Sequence, residues 1–361
     1  PLACKYSKTP NTRGKLALVD EGGFVSLFDT LNARDSEGDE ESLVPQARWR
    51  GHDNTIFDIE WSSDDARLLT ASADETCRLW DVERQQVLGE FRGHSQTVRA
   101  VSWKHGDLNC FSTASRDGSI MMWDMRCNKA FADGIYSCRP VNAVSNAHYG
   151  LQRPGRVHRG KSNAVGGSVT GIQHLQQNAN LVASVGSTSE MVKYWDIRIS
   201  TPSRASALPT PVASSLRLSS AKRPRGTSSL TLDPDGTRIY TACNDSRVYV
   251  HNALSPGYPI AQLAAPEFEC HSFNVGTSMS PCGQYLAAGS SNGSAVVWEL
   301  DRYGFNSSKR RAVLQGHMKE AGCVAWYPGK ERTQMVTCGD DGTMRVWDLD
   351  AQLAQEGRDD P

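Results

Sequence analysis

Nine histidines, ten cysteines and one Gly-x-Ser-x-Gly run are the residues of this 361-residue chain that could do covalent or metal chemistry. The run, Gly289-Ser290-Ser291-Asn292-Gly293, has the pattern of a hydrolase nucleophile elbow, which requires a strand-to-helix turn. Here it precedes the apolar stretch ending at Trp298, a strand-to-strand context, so it is read as structural. The cysteines show no close pairs of zinc-ligand spacing, and the chain has neither a phosphate-binding Gly-Lys-Ser/Thr loop nor His-Glu-x-x-His. No catalytic residue, cofactor or metal ligand is therefore expected. The selective chemistry is recognition by arginine. Trp123-Asp124-Met125-Arg126 and Trp195-Asp196-Ile197-Arg198 each close an apolar run, whereas Trp80-Asp81-Val82-Glu83 and Trp347-Asp348-Leu349-Asp350 lack the arginine. Residues two apart on an extended strand share a side, so each Asp and Arg can pair or face outward together. A planar guanidinium suits partner recognition.

The elements that must position these boxes are repeated. Asp74, Asp117 and Asp341 each lie six residues before Trp80, Trp123 and Trp347, and Thr70, Thr113 and Thr337 lie four residues before the aspartates. Upstream stand Gly51-His52, Gly93-His94 and Gly316-His317, separated from their tryptophans by 28, 29 and 30 residues. A Thr, a His, an Asp and a Trp at fixed offsets can link the strands of one sheet through a hydrogen-bonded chain, and such networks specify one packing when satisfied. A period of roughly 40–45 residues with this signature is that of the WD-repeat β-propeller, one four-stranded blade per repeat. His148 and His271 occupy degenerate copies of the histidine position and are expected to act likewise.

Seven blades result, at about 1–50, 51–92, 93–147, 148–216, 217–265, 266–315 and 316–361, making the chain one all-β seven-bladed propeller. In the first, Phe28-Asp29 stands for Trp-Asp. In the fourth, Ser189 replaces the turn aspartate, and in the fifth His251-Asn252 replaces Trp-Asp. Loop insertions fall at 149–167 and 199–226. The residues after Asp348 are polar, so the strand closing the ring is expected upstream of Pro1, and the chain reads as an excised fragment. A formal net charge of −1 argues against a protein that coats nucleic acid or a membrane surface. No apolar run approaches the roughly 18 residues of a membrane span. Scattered cysteines in apolar strands fit a reducing compartment.

Two further features stand out. Both insertions are basic: one holds Arg153, Arg156, Arg159 and Lys161, the other Lys222, Arg223 and Arg225. Both are expected on the face opposite the Trp-Asp-x-Arg ends, where they could meet DNA phosphates or an acidic protein. Lys222-Arg223-Pro224-Arg225 could also serve nuclear import. On the same face the central opening should be lined by turn and strand-start residues, among them Phe57, Arg99, Arg116, Asn244, Asn274 and Glu320.

The run SRDGSIMMWDMRCNK (115–129), ALVDEGGFVSLFDT in the first blade, the basic insertion after His148, WDIR in the fourth blade and RGTSSLTLDPDG at the fifth together resemble the denticleless family. These are substrate receptors of cullin-RING ubiquitin ligases. The resemblance implies a non-catalytic nuclear receptor whose boxes, mapped to Phe111–Arg126 and Ala183–Arg198, dock the ligase's damaged-DNA-binding adaptor. Trp123, Asp124, Arg126, Trp195, Asp196 and Arg198 carry over as contacts. The opposite face would read degrons of replication and cell-cycle proteins displayed on the DNA-loaded sliding clamp. Two other readings stay open: a WD-repeat scaffold without a ligase, histone-binding or signalling, and a propeller whose basic loops bind nucleic acid.

Overall fold

The chain alternates short apolar strands with Gly- and Asp-containing turns, and a computed structural model shows seven sheets, antiparallel within each blade, arranged in a ring. It describes residues 1–9, 14–31, 43–127, 129–132, 135–148, 167–199, 209–216, 225–301, 303, 305–306, 310–329 and 333–349. The first strand of every blade faces the central axis, from Ala3–Tyr6 through Val98–Trp103 to Ala321–Trp326, and successive first strands pack on one another around the ring. The core lies between blades as separate apolar clusters.

The repeated polar chain forms as the offsets predict. In blade three, Trp123 Nε1 donates to Thr113 Oγ1 at 2.9 Å, Thr113 meets His94 Nε2 at 2.7 Å, and His94 Nδ1 meets Asp117 at 3.1 Å. Blade two repeats it through Trp80, Thr70, His52 and Asp74, and blade seven through Trp347, Thr337, His317 and Asp341. Each donor has one acceptor when the ring is neutral with its proton on Nδ1, so the chain is saturated without a buried charge on histidine.

The degenerate blades break the chain at identifiable atoms. In blade four, Ser184 replaces threonine: it takes the Trp195 proton at 2.8 Å and meets His148 Nε2 at 2.8 Å, leaving His148 Nδ1 unpartnered. In blade five, His251 stands in for tryptophan and reaches Thr241 at 3.3 Å, while Asp245 turns to Tyr249 and Arg225. The expectation for His271 is corrected. It is exposed and faces Glu269, and the blade-six turn is tied by Ser290, Asn292 and Ser294 to the Glu267 carbonyl instead.

These buried histidines make the fold acid-sensitive. Burial pushes His148 down to about 3, and His174 and His251 down to about 4. The folded state then binds fewer protons than the unfolded chain, whose histidines titrate near 6.5, so stability is full above that value and is lost as pH falls toward 4. The melting temperature should drop steadily between about pH 7 and about pH 5. A flat profile over that window would contradict the assignment.

Two departures concern connectivity. Residues 93–147 contain a hairpin, Lys129–Ala132 with Ile135–Cys138, that leaves blade three and adds to the outer strand of blade two, Gln86–Arg92, in parallel. Gly89 makes this possible, because a Cβ there would stand 2.3 Å from the Tyr136 ring. The stretch 199–226 is also not one loop. Ala213–Ser214 pairs with Lys193–Tyr194 as the fourth strand of blade four and so divides the stretch. Among the described residues the seventh sheet has three strands, and the seam to blade one is closed by side chains, including an edge-to-face Tyr6–Tyr327 contact at 5.8 Å.

Candidate functional site

The two arginine boxes have the same geometry. Asp124 and Asp196 are the last paired residues of their third strands, opposite Cys110 and Leu181, so the chain turns out of the sheet directly after them. The backbone N–H of Arg126 and of Arg198 then donates to the aspartate two residues back, at 2.9 Å in both. The guanidinium closes the turn as a fork: Arg126 Nε and Nη2 donate to Asp124 at 2.9 Å each, and Arg198 Nε and Nη2 to Asp196 at 2.9 and 2.6 Å. These bonds hold both carboxyls below the usual carboxylate range. Asp81, without an arginine at that offset, makes a single 3.3 Å side-chain contact with Arg84. The pairs stay at the surface, the arginine side chains 55% and 66% exposed, whereas Trp123 and Trp195, expected as contacts, are buried in the interblade core. Asn142 on the outer strand of blade three donates to the carbonyls of Ile197 and Ile199, joining the second box to the rim of blade three. Val141 and Ile199 are exposed beside that joint. Oriented arginines next to exposed apolar side chains are the composition of a protein-docking surface.

At the other end of the strands, the central channel encloses a cavity of about 170 Å³. Its lining is set by a repeated irregularity. In blades two, three, four, five and seven the register between first and second strands slips at one residue, and a bulge re-aims that residue. The slipped positions are Phe57, Arg99, Thr170, Ser228 and Gly322, and all five line the channel. Arg99 lies over the Phe57 ring at 4.3 Å and spans the opening to donate from Nη2 to Phe273 O at 2.9 Å and Asn274 Oδ1 at 3.2 Å. Nε and Nη1 have no partner among the described residues. Burial, then the Arg116 charge, pulls the Arg99 pKa down to about 10, against the Asp58 carboxylate of the same channel, which raises it. Glu320 receives the Ser272 hydroxyl, and Ser272 in turn accepts from the Asn274 N–H. The structure thus brings Phe57, Arg99 and Asn274 into contact, with Arg116 and Glu320 at the rim. Asn244 stands apart, its N–H bonded to Gly226 O.

The WD domain, G-beta repeat family matches residues 43–81, 85–124, 264–299 and 308–348. Over 358 residues the chain is 35% identical to the denticleless protein homolog A of Xenopus laevis, covering 97% of this chain and 48% of that protein. It is 33% identical over 371 residues to the denticleless protein homolog of Homo sapiens, covering 99% and 47%. Against the protein lethal(2)denticleless of Drosophila melanogaster it is 32% identical over 365 residues, covering 98% and 45%.

The chain belongs to the denticleless family of WD-repeat proteins. It spans about half the length of the curated relatives it matches. In this denticleless-family propeller the four repeat matches end at the third strands of blades two, three, six and seven. The matches leave out blades one, four and five, while blade six is matched although its histidine is exposed.

Of the basic insertions, Arg153, Arg156, Arg159, Lys161, Lys222 and Arg223 lie outside the described residues. Their roots are described. His148 and Gly167 pair across the base of the first, and Ser168 joins Ser187, whose carbonyl lies against Gly226 at the base of the second. Ser168 also donates to the Arg116 carbonyl, so both roots sit beside the channel mouth. Arg225 is held by Asp245. Sequence reasoning missed Phe273, Thr170, Ser228 and Gly322, and only Gly322 carried a signal: like Phe57 and Arg99 it follows the repeat histidine by five residues.

Proposed function

We propose that this chain is the substrate-recognition subunit of a cullin-RING ubiquitin ligase. The paired Asp124–Arg126 and Asp196–Arg198 forks dock the damaged-DNA-binding adaptor, and the opposite face reads a degron presented with the DNA-loaded sliding clamp. The observation that carries this reading is the exposed Asp–Arg fork shared by two adjacent blades and absent from Asp81, with Arg126 also reaching Asp107 at 3.1 Å. The channel mouth supplies the second half. Arg99, stacked on Phe57 with two unmatched donors, suits a peptide carboxylate, and the neighbouring basic loops suit clamp-bound DNA. The propeller itself does no chemistry. It holds adaptor and degron on opposite faces of a rigid disc, so that a substrate lysine is kept at high effective concentration near the ubiquitin-carrying enzyme. The basic run at Lys222–Arg225 supports work in the nucleus.

The test is capture of the adaptor by the wild-type chain and by Arg126→Ala/Arg198→Ala, with a thermal melt of each. Binding by the wild type and a loss of about tenfold or more in a variant that melts normally is expected, since hot-spot arginines carry about 2 kcal/mol or more each. Undiminished capture by the double variant would move docking away from the boxes.

A further inference from the structure

Sequence spacing places no metal site in this chain, but ring closure gathers three thiols. Cys4 lies on the first strand of blade one, and Cys323 and Cys338 lie opposite each other on the first two strands of blade seven. Their sulfur atoms are all within 4.8 Å of one another. All three thiols are free and buried. They sit at the seam that among the described residues has no shared strand, inside the apolar cluster that includes Tyr6, Leu18 and Tyr327. Two of the three, Cys4 and Cys323, also line the central channel, which gives the site an entry path and a source of water.

We propose that Cys4, Cys323 and Cys338 form a three-thiolate site for a thiophilic divalent ion of the zinc class, entered from the channel and fastening the first blade to the seventh. A tetrahedral ion holds sulfurs about 2.3 Å from itself, and hence about 3.8 Å from one another. Small side-chain rotations bring the thiols from their present separation to that geometry. Three protein sulfurs leave a fourth position for channel water, the arrangement of an open zinc site. Binding displaces the thiol protons to solvent, so affinity rises with pH.

The experiment uses the chain with the exposed Cys127 and Cys282 replaced by serine, loaded with Zn²⁺ and examined by X-ray absorption at the zinc edge. Cd²⁺ provides a sulfur-to-metal charge-transfer band for titration. The expected result is one ion per chain, three sulfur neighbours, and a melting temperature that climbs with ion concentration. Cys4→Ala should abolish the band, and Cys77→Ala, another buried cysteine, should leave it unchanged. Two or fewer sulfur neighbours in the folded parent, or a full band in Cys4→Ala, would overturn the site. If Cys4→Ala fails to fold, the sulfur count in the parent decides alone.

Discussion

Trp123→Ala is expected to cost the propeller about 3–5 kcal/mol, the range for deleting a fully buried tryptophan. The ring is 1% exposed, stacks on Phe111 at 6.2 Å and meets the edge of Phe91 at 5.4 Å, so its loss opens a cavity between blades two and three. The same change removes the Nε1–H donated to Thr113, and with it one link of the Trp123–Thr113–His94–Asp117 chain. Trp123→Phe separates the two contributions. It keeps much of the packing and should cost only about 1–3 kcal/mol, the penalty for an unmatched buried polar group. Denaturant midpoints measured on both variants check this. A Trp123→Ala protein within 1 kcal/mol of the parent, roughly the cost of a minor core change, would mean the blade repacks.

Arg99→Ala is expected to weaken binding of a degron peptide by about tenfold to a hundredfold, as loss of a charge-assisted contact of about 1.5–3 kcal/mol implies. The guanidinium is committed on one side to Phe273 O and Asn274 Oδ1 and on its face to Phe57, leaving Nε and Nη1 for a ligand. Arg99→Lys keeps the charge but cannot reproduce the fork, and should recover only part of the affinity. Peptide titration against the folded variants measures the effect. Equal affinity of wild type and Arg99→Ala would place degron reading outside the channel mouth.

What could be read in advance follows the range of the interactions. The Thr113, His94, Asp117 and Trp123 network was legible because all four sit at fixed offsets within one repeat. The forks were legible for the same reason, since Asp124 and Arg126 are two residues apart. His271 was misread because offset alone does not tell a buried ring from one that Ser290 and Asn292 have displaced to the surface. The hairpin at 129–138 was not visible, since its partner strand is Gln86–Arg92 and the enabling feature is the missing side chain of Gly89. The thiol cluster was invisible for a topological reason. Closing a ring makes neighbours of Cys4 and Cys338, residues at opposite ends of the chain, and no local pattern records that contact.

The central claim is that two faces serve two partners. It is tested most directly by measuring adaptor affinity and degron-peptide affinity across one set of proteins: wild type, Arg126→Ala/Arg198→Ala and Arg99→Ala. The account predicts that the double variant loses the adaptor and keeps the peptide, while Arg99→Ala loses the peptide and keeps the adaptor. Loss of both partners together in either folded variant would contradict it.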